Sequence, residues 1–264
     1  MTSMITSLHS SHVEEVKALL GSRGVKARRE TKRYVVEGPS NIAALLKVRP
    51  QSVIRIYYTL SARETSNFAW NGEMIEVSEQ VMKAMTDTVS PQGMLALVNQ
   101  DEYNLELFRK LKNPKLAYFW QIQDPGNAGT VIRTADAFGF DGVMFSENSV
   151  DLYNPKVIRS TAGSLWQIPI AASVSLDQLR NLKKELNIQC FATKSNGEND
   201  LRDIARGLKG NGSIWIFGNE ARGIPQDVES TLSTISVKIA MAGQAESLNL
   251  ASAAAVVMYA VANA

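Results

Sequence analysis

Three short segments between Gln123 and Asn249 hold the residue types that chemistry needs, and each follows an apolar run. The first is Gln123-Asp124-Pro125-Gly126-Asn127-Ala128-Gly129, leading to Arg133; the second, Gly218-Asn219-Glu220-Ala221-Arg222-Gly223, sets two charges between glycines. The third leaves the run Ile235 to Met241, breaks at Gly243, passes Ser247 and Asn249, and enters an alanine-rich stretch. A strand ending in a polar turn before a helix is where open α/β sheets hold ligands. Amide, carboxylate, hydroxyl and guanidinium groups placed there can bind and orient a substrate.

Each of these residues also has a plainer reading. Asn127 suits a helix N-cap, whose side-chain oxygen accepts an exposed first-turn amide. Arg133, placed in the second turn of that helix, can pair with Asp136 at i+3, worth a few tenths of a kcal/mol. Ser247 can cap the last helix, and Glu220 can simply meet Arg222 on a solvated loop. The charges of the second turn, framed by glycines directly after a buried strand, tilt that segment toward a site.

Other chemistries are disfavoured. No Gly-x-Gly-x-x-Gly follows a strand and no Gly-Lys-Ser/Thr loop occurs; Gly207 to Gly212 precedes a strand and reads as a surface turn. The two histidines, His9 and His12, lie in what reads as a frayed terminus, so neither a metal site nor a histidine base is expected. Cys190 is the sole cysteine, which excludes an internal disulfide; its apolar run marks a buried strand thiol.

The elements that must position these groups follow from pattern. From Lys115 onward, strands are expected at Leu116–Gln123, Gly142–Phe145, Ile168–Ala171, Gln189–Thr193, Ser213–Phe217 and Ile235–Ile239. Helices are expected at Ala128–Phe138, Pro155–Ala162, Leu176–Leu186, Gln226–Leu232 and Leu248–Val261. Continuous apolar strands alternating with helices imply an α/β domain with a parallel sheet covered on both faces. The last helix is apolar almost all round, so it must be buried on most faces, and its small residues admit a second helix closely; a homodimer is expected there.

Residues 1–100 read as a smaller α/β unit, with helices at Val13–Leu20, Pro39–Leu46 and Ser78–Met85. Its strands are Arg33–Glu37, Val53–Thr59 and Met94–Asn99. Residues 101–113 read as a linker, helical in character, and 114–264 as the second domain.

At 264 residues, 45% hydrophobic and 20% charged, the chain is an ordinary globular protein. No apolar run approaches a membrane span, and residues 1–12 lack the apolar core of a signal peptide, so a cytoplasmic location is expected. The net charge of +2 is uneven: residues 1–100 hold 12 Lys/Arg against 9 Asp/Glu, or +3, and residues 101–264 hold 16 against 17, or −1. Arg23, Lys26, Arg28, Arg29, Lys32 and Arg33 crowd together with only Glu30 opposing. Such a cluster reads equally as a phosphate-binding surface or as a solvated loop between helices.

Taken together, the turns resemble the SpoU (TrmH-like) branch of the SPOUT RNA methyltransferases. The carriers are Asp124-x-x-Asn127-x-Gly129-x-x-x-Arg133-x-Ala135-x-Ala137-Phe138-Gly139, Gly218-Asn-Glu220-x-x-Gly223 and Ile239-x-Met241-x-Gly243-x-x-x-Ser247-Leu-Asn249. Order and spacing match across residues 114–264. The first hundred residues resemble, less specifically, a ribosomal-protein-like substrate-binding module, through Val16-Lys17, Arg28-Arg29, Val36-Glu37-Gly38 and Gln92-Gly93-Met94-Leu95-Ala96.

The resemblance implies S-adenosylmethionine-dependent methylation of an RNA ribose 2′-hydroxyl, a homodimer with sites at its interface, and a deep trefoil knot, which pattern reasoning would never supply. It implies that the cofactor is held largely by backbone groups around Gly218, Ile239 and Leu248, with Met241 and Gly243 in the same loop. Arg133 would grip a phosphate and stabilise the developing alkoxide, since a guanidinium stays protonated; Asn127 would orient it. Glu220, Ser247 and Asn249 would position the ribose and shape the cofactor loop. Ala240 departs from the proline usual after the counterpart of Ile239, which changes loop stiffness more than chemistry. Arg28, Arg29, Lys32 and Arg33 would hold structured RNA through its phosphates. Members with such a module favour ribosomal RNA as substrate. Transfer-RNA 2′-O-methylation and a catalytically silent RNA-binding protein are the alternatives.

Overall fold

The computed structural model describes residues 4–208 and 210–264; Lys209, in the expected turn Gly207 to Gly212, lies outside them. In chain order the strands are β1 Arg33–Glu37, β2 Val53–Tyr58, β3 Glu73–Glu76, β4 Met94–Asn99, β5 Lys115–Phe119 and β6 Gly142–Ser146. They continue as β7 Ile170–Val174, β8 Gln189–Thr193, β9 Asn199–Asp200, β10 Ser213–Phe217 and β11 Ile235–Lys238. The helices are α1 Ser11–Ala18, α2 Val25–Thr31, α3 Pro39–Val48, α4 Leu60–Thr65, α5 Glu79–Ala84 and α6 Pro125–Ala137. After these come α7 Pro155–Thr161, α8 Leu176–Leu186, α9 Leu201–Leu208, α10 Gln226–Leu232 and α11 Leu250–Ala262. The chain divides into two compact units: one reaches to Glu102 and takes in Asp151–Trp166, and the other comprises Tyr103–Val150 and Gln167–Ala264.

The first unit is built on a four-stranded sheet of order β1-β4-β2-β3, in which β4 runs antiparallel to both neighbours and β3 lies parallel to β2. Val16, Leu19, Val35, Tyr57, Val81 and Leu97 fill the core on one face. The segment Asp151–Trp166 closes this unit. Its Tyr153 ring sits 4.5 Å from that of Tyr34, and Trp166 Nε1 donates to the Tyr34 hydroxyl at 3.0 Å. Burial holds the Tyr34 phenol well above its ordinary pKa.

Two expectations for this unit are corrected. His12 does not fray: it lies in α1, with Nδ1 3.0 Å from the Tyr57 hydroxyl and 3.0 Å from Arg55 Nη1. The basic segment is neither open loop nor uniformly exposed, because residues 25–31 form α2 and turn Arg28 inward. Arg28 is 0% exposed. Its Nε donates to Asp151 at 2.7 Å, and Nη1 donates to the carbonyls of Leu19 and Gly21. A guanidinium is buried only when a carboxylate and hydrogen bonds replace its water, so Arg28 is withdrawn from the phosphate contact expected of it.

The second unit has a parallel seven-stranded sheet of order β7-β6-β5-β10-β8-β11-β9. Its strands β5, β6, β8 and β10 are largely apolar because helices cover both faces, whereas the edge strand β9 is Asn-Asp. Leu116, Tyr118, Cys190, Ile214 and Ile216 pack with Leu179, Leu182, Val228 and Leu232 of α8 and α10. Across the other face, Phe119 stacks between Phe145 and Phe217 at 5.6 and 4.9 Å, where α6 and α11 pack together. Burial of each such side chain contributes about 1.5–3 kcal/mol. Burial also pushes the Cys190 thiol up to about 12, which leaves it inert.

Residues 101–113, expected to be helical, contain only a 3₁₀ turn, Leu105–Leu107, and send Phe108 into the core of the second unit. Five elements, α2, α4, α9, β3 and β9, are not among those expected from the pattern. Among the described residues no helix is long and apolar enough to cross a membrane.

Candidate active site

The strand order places the three polar turns together. From β5 the chain moves outward through β6 and β7, then returns to lay β8, β10 and β11 on the other side of β5. Such a reversal opens a crevice beyond the carboxyl ends of the strands. There the loops after β8, β10 and β11 enclose a cleft of about 520 Å³, within the range of small-molecule sites.

Backbone geometry explains why the loop after β10 is glycine-bearing. A Cβ on Gly218 would stand 2.2 Å from the Gly223 carbonyl carbon, and Gly223 itself has φ +66°, a left-handed conformation that glycine adopts without strain. Asn219, buried beneath, holds the turn. Its Oδ1 accepts from the amides of Ala221 and Arg222, and its Nδ2 donates to the Gln121 carbonyl at 2.8 Å.

Residues from three distant parts of the chain meet at the rim. Asn249 Nδ2 donates to Asn127 Oδ1 at 3.3 Å, and Asn127 Nδ2 donates to Glu220 Oε1 at 3.3 Å. The Glu220 carboxylate also accepts from the backbone amides of Gln123 and Asp124, each at 3.3 Å. The two helix caps differ from expectation. Asp124, not Asn127, caps α6, its side chain accepting from the Asn127 amide at 2.8 Å with Pro125 in the first turn. Asn249, not Ser247, caps α11 by accepting from the amides of Ala251 and Ser252. Relieved of capping, the Asn127 side chain is available to bridge Glu220 and Asn249. The N-termini of α6 and α11 thus both open toward the rim, where they favour negative charge.

Of the residues singled out in the sequence, Gly218, Glu220, Ile239, Met241, Ser247, Leu248 and Asn249 line the cleft. Asn127 joins it through hydrogen bonds. Gly243 is exposed in the same loop but is not part of the wall. Arg133 lies in the third turn of α6, exposed and away from the cleft wall, and among the described residues it forms no ion pair with Asp136 or any other carboxylate. No hydrogen bond ties Asn127 to Arg133 among the described residues; the amide is turned to Glu220 and Asn249. In the first unit Arg29 and Lys32 are exposed, while Arg33 pairs with Glu15.

One wall escaped sequence reasoning: Thr193, Lys194, Ser195 and Asn196, the loop after β8. It repeats the strand-then-polar-turn grammar, and that was the available signal. Arg222 Nη2 donates to Gln121 Oε1 at 3.0 Å, so it braces the loop after β5 and does not contact Glu220.

Both parts of the chain match known proteins. Residues 115–259 match the SpoU rRNA Methylase family and residues 11–96 the MRM3-like substrate binding domain. The chain is 30% identical to the 23S rRNA (guanosine(2553)-2'-O)-methyltransferase RlmP of Bacillus subtilis, over 96% of this chain and 97% of that one. It is 28% identical to a 23S rRNA (uridine(2479)-2'-O)-methyltransferase of Streptomyces viridochromogenes, over 97% and 90% of the two chains. Among solved structures, the AdoMet-bound rRNA methyltransferase of Sinorhizobium meliloti superposes with a TM-score of 0.83 at 28% identity, covering 99% of this chain and 98% of that one.

Proposed function

The chain belongs to the SpoU rRNA methylase family, and we propose that, as an S-adenosylmethionine-dependent RNA 2′-O-ribose methyltransferase, it acts on ribosomal RNA from the rim where Glu220, Asn127 and Asn249 meet. That hydrogen-bonded chain carries the reading, because it joins polar side chains of three remote segments at the rim of the cleft that Glu220 and Asn249 line. Relatives of similar identity are named for guanosine and for uridine, so the base to be modified does not carry over to this chain.

The cleft suits S-adenosylmethionine. Ile224, Ile239, Met241 and Leu248 offer apolar surface for an adenine, while Asn196, Ser247 and the backbone at Gly218 offer polar contacts to a ribose. When bound, the cofactor supplies an electrophilic methyl group on a sulfonium, and the protein contributes position and electrostatics.

The protein's own residues then have distinct tasks. Glu220 fixes the loop after β5 by accepting two of its amides, and Asn127 and Asn249 set the rim against which a ribose is oriented. Exposed on α6, the Arg133 guanidinium binds a phosphate next to the target ribose and stabilises the alkoxide as the 2′-hydroxyl loses its proton. Arg29 and Lys32 add sequence-independent phosphate contacts.

Three further features belong to this reading. A homodimer covers α11, whose Val256 and Tyr259 are 40% and 59% exposed, and a dimeric mass at micromolar concentration is the expected result. A trefoil knot is consistent with the insertion of β10 between β5 and the earlier β8. The location is cytoplasmic, as for an enzyme whose substrate is ribosomal RNA.

The test is to incubate the protein with methyl-labelled S-adenosylmethionine and, separately, deproteinised ribosomal and transfer RNA, followed by alkaline hydrolysis. A 2′-O-methyl blocks attack on the adjoining phosphate, so label is expected in alkali-resistant dinucleotides from ribosomal RNA. Label only in mononucleotides overturns ribose methylation, and label only in transfer RNA overturns the substrate.

A further inference from the structure

The edge of the second unit's sheet that lies opposite the cleft is basic. The cleft opens beyond the carboxyl ends of the strands, whereas Lys115 begins β5 and Gln189 begins β8. A five-residue parallel strand spans about 16 Å, so the two edges are separate surfaces. Leading into β5 is Arg109-Lys110-Leu111-Lys112-Asn113-Pro114-Lys115, four cations in seven residues without a carboxylate among them. Phe108 enters the core and Leu111 packs against it, which fixes the segment while Lys110 and Lys112 stay exposed.

The last turns of α8 extend this charge. Arg109 Nη1 is 3.0 Å from Glu185 Oε1. A Cβ on Gly212 would stand 2.7 Å from the Asn113 carbonyl carbon and 2.8 Å from Ile188 Cγ2. The segment therefore runs beside a cavity of about 410 Å³, which Ile188 lines together with Arg180, Lys183 and Lys184 and which no carboxylate lines. Asn187 and Thr231 add neutral polar groups to its wall.

Lysines at helix C-termini commonly offset the carbonyls there, and Lys183 does so, its Nζ donating to the Leu232 carbonyl at 2.6 Å. The remaining charge has no such use. The final carbonyls of α8 already accept from the amides of Asn187 and Ile188, and those of α10 from Ser233 and Thr234. Nearby carboxylates are engaged: Glu106 and Glu185 flank Arg109 at 3.1 and 3.0 Å, and Asp177 holds Arg180 Nη2 at 2.7 Å. Among the described residues Lys110, Lys112 and Lys184 make no ion pair or side-chain hydrogen bond, and Arg180 Nε is buried without a partner. Cations gathered in this way repel one another until a polyanion answers them.

We propose that this edge is a further RNA-binding surface, carried by the second unit itself, on which Lys110, Lys112 and Lys184 hold phosphates of the substrate and the Arg180 side of the cavity seats another. This rests on the reading of RNA as the substrate. Phosphate contacts position a nucleic acid without reading its bases, so the surface supplies affinity and register to an RNA long enough to reach both edges of the sheet.

The experiment is filter binding of the full-length protein to labelled, deproteinised ribosomal RNA at several salt concentrations, alongside methyl-transfer kinetics. The variant combining Lys110→Ala, Lys112→Ala and Lys184→Ala is expected to flatten the slope of log affinity against log salt by about 2–3, since each lost phosphate contact contributes roughly 0.7–0.9. Its affinity at about 0.1 M salt should fall at least tenfold. The KM for RNA should rise, with kcat and the affinity for S-adenosylhomocysteine near wild type. The same three positions changed to arginine keep the charge and should stay within about threefold of wild type. Unchanged affinity and slope in the alanine variant overturn the inference while leaving RNA as the substrate. A loss that arginine does not rescue, or one that leaves the slope intact, also overturns it, by showing a structural role. Wild-type protein without affinity for RNA removes the reading of the substrate, and the inference with it.

Discussion

Arg28 and Arg133 belong to two regions that read alike along the chain and part company in space. Arg28 sits among five other cations with one acidic neighbour, the pattern of a phosphate-binding surface. Yet its guanidinium is spent on Asp151 and on two carbonyls of its own unit. Arg133 has Asp136 at i+3, a ready partner, and stands exposed without it. A charged residue's neighbours in sequence therefore do not say whether its partner will be RNA or protein. The deciding quantity is the burial of the site it faces: a fully desolvated guanidinium demands a carboxylate, whereas an exposed i,i+3 pair is worth so little that it forms at Arg180 with Asp177 and not at Arg133 with Asp136.

The comparison can be pressed hardest at Arg133. Arg133→Lys keeps the charge but loses the planar fork that grips a phosphate. Initial rates of methyl transfer should fall about 10²–10³-fold, the cost of removing one preorganised donor, while calorimetry shows S-adenosylmethionine affinity near wild type. Full activity would place Arg133 outside the reaction. Next comes Arg28→Met, which leaves Asp151 without its buried partner. Urea unfolding should show destabilisation of about 3 kcal/mol, with the affinity of the folded protein for RNA unchanged. A stable variant with weakened RNA binding would reverse the roles assigned to the two arginines. The smallest effects are expected at Arg29→Ala and Lys32→Ala. Stability should stay within about 0.5 kcal/mol of wild type. The slope of log affinity for RNA against log salt should flatten by about 1 for each phosphate that the removed side chain had neutralised.

The two units also differ in how their sequence maps onto space. The second unit's sheet is assembled from residues after Tyr103, but the chain leaves it at Asp151–Trp166 to finish the core of the first. Tyr34 receives Trp166 as its donor and Tyr153 as its ring neighbour, and Arg28 receives Asp151. Nothing in the local pattern of residues 151–166 marks them as lent, because the helix α7 they contain is amphipathic toward whichever core it meets.

What the sequence determined by itself is local. Ser175 with Gln178 forms a capping box that starts α8 where the pattern places it, and the apolar runs Gln189–Thr193 and Ser213–Phe217 become β8 and β10 residue for residue. The turns after β10 and β11 were legible as candidate walls of a cleft for the same reason: glycine, carboxylate and amide at a strand end constrain the backbone within a few residues. Tertiary structure alone decided the rest. Only the insertion of β10 between β5 and β8 brings Glu220 to Asn127 and Asn249. Only three-dimensional packing could assign capping to Asp124 and Asn249 and bury Arg28. Propensity and periodicity act over one or two turns of chain, whereas burial and the hydrogen bonds it compels depend on segments that meet only after folding.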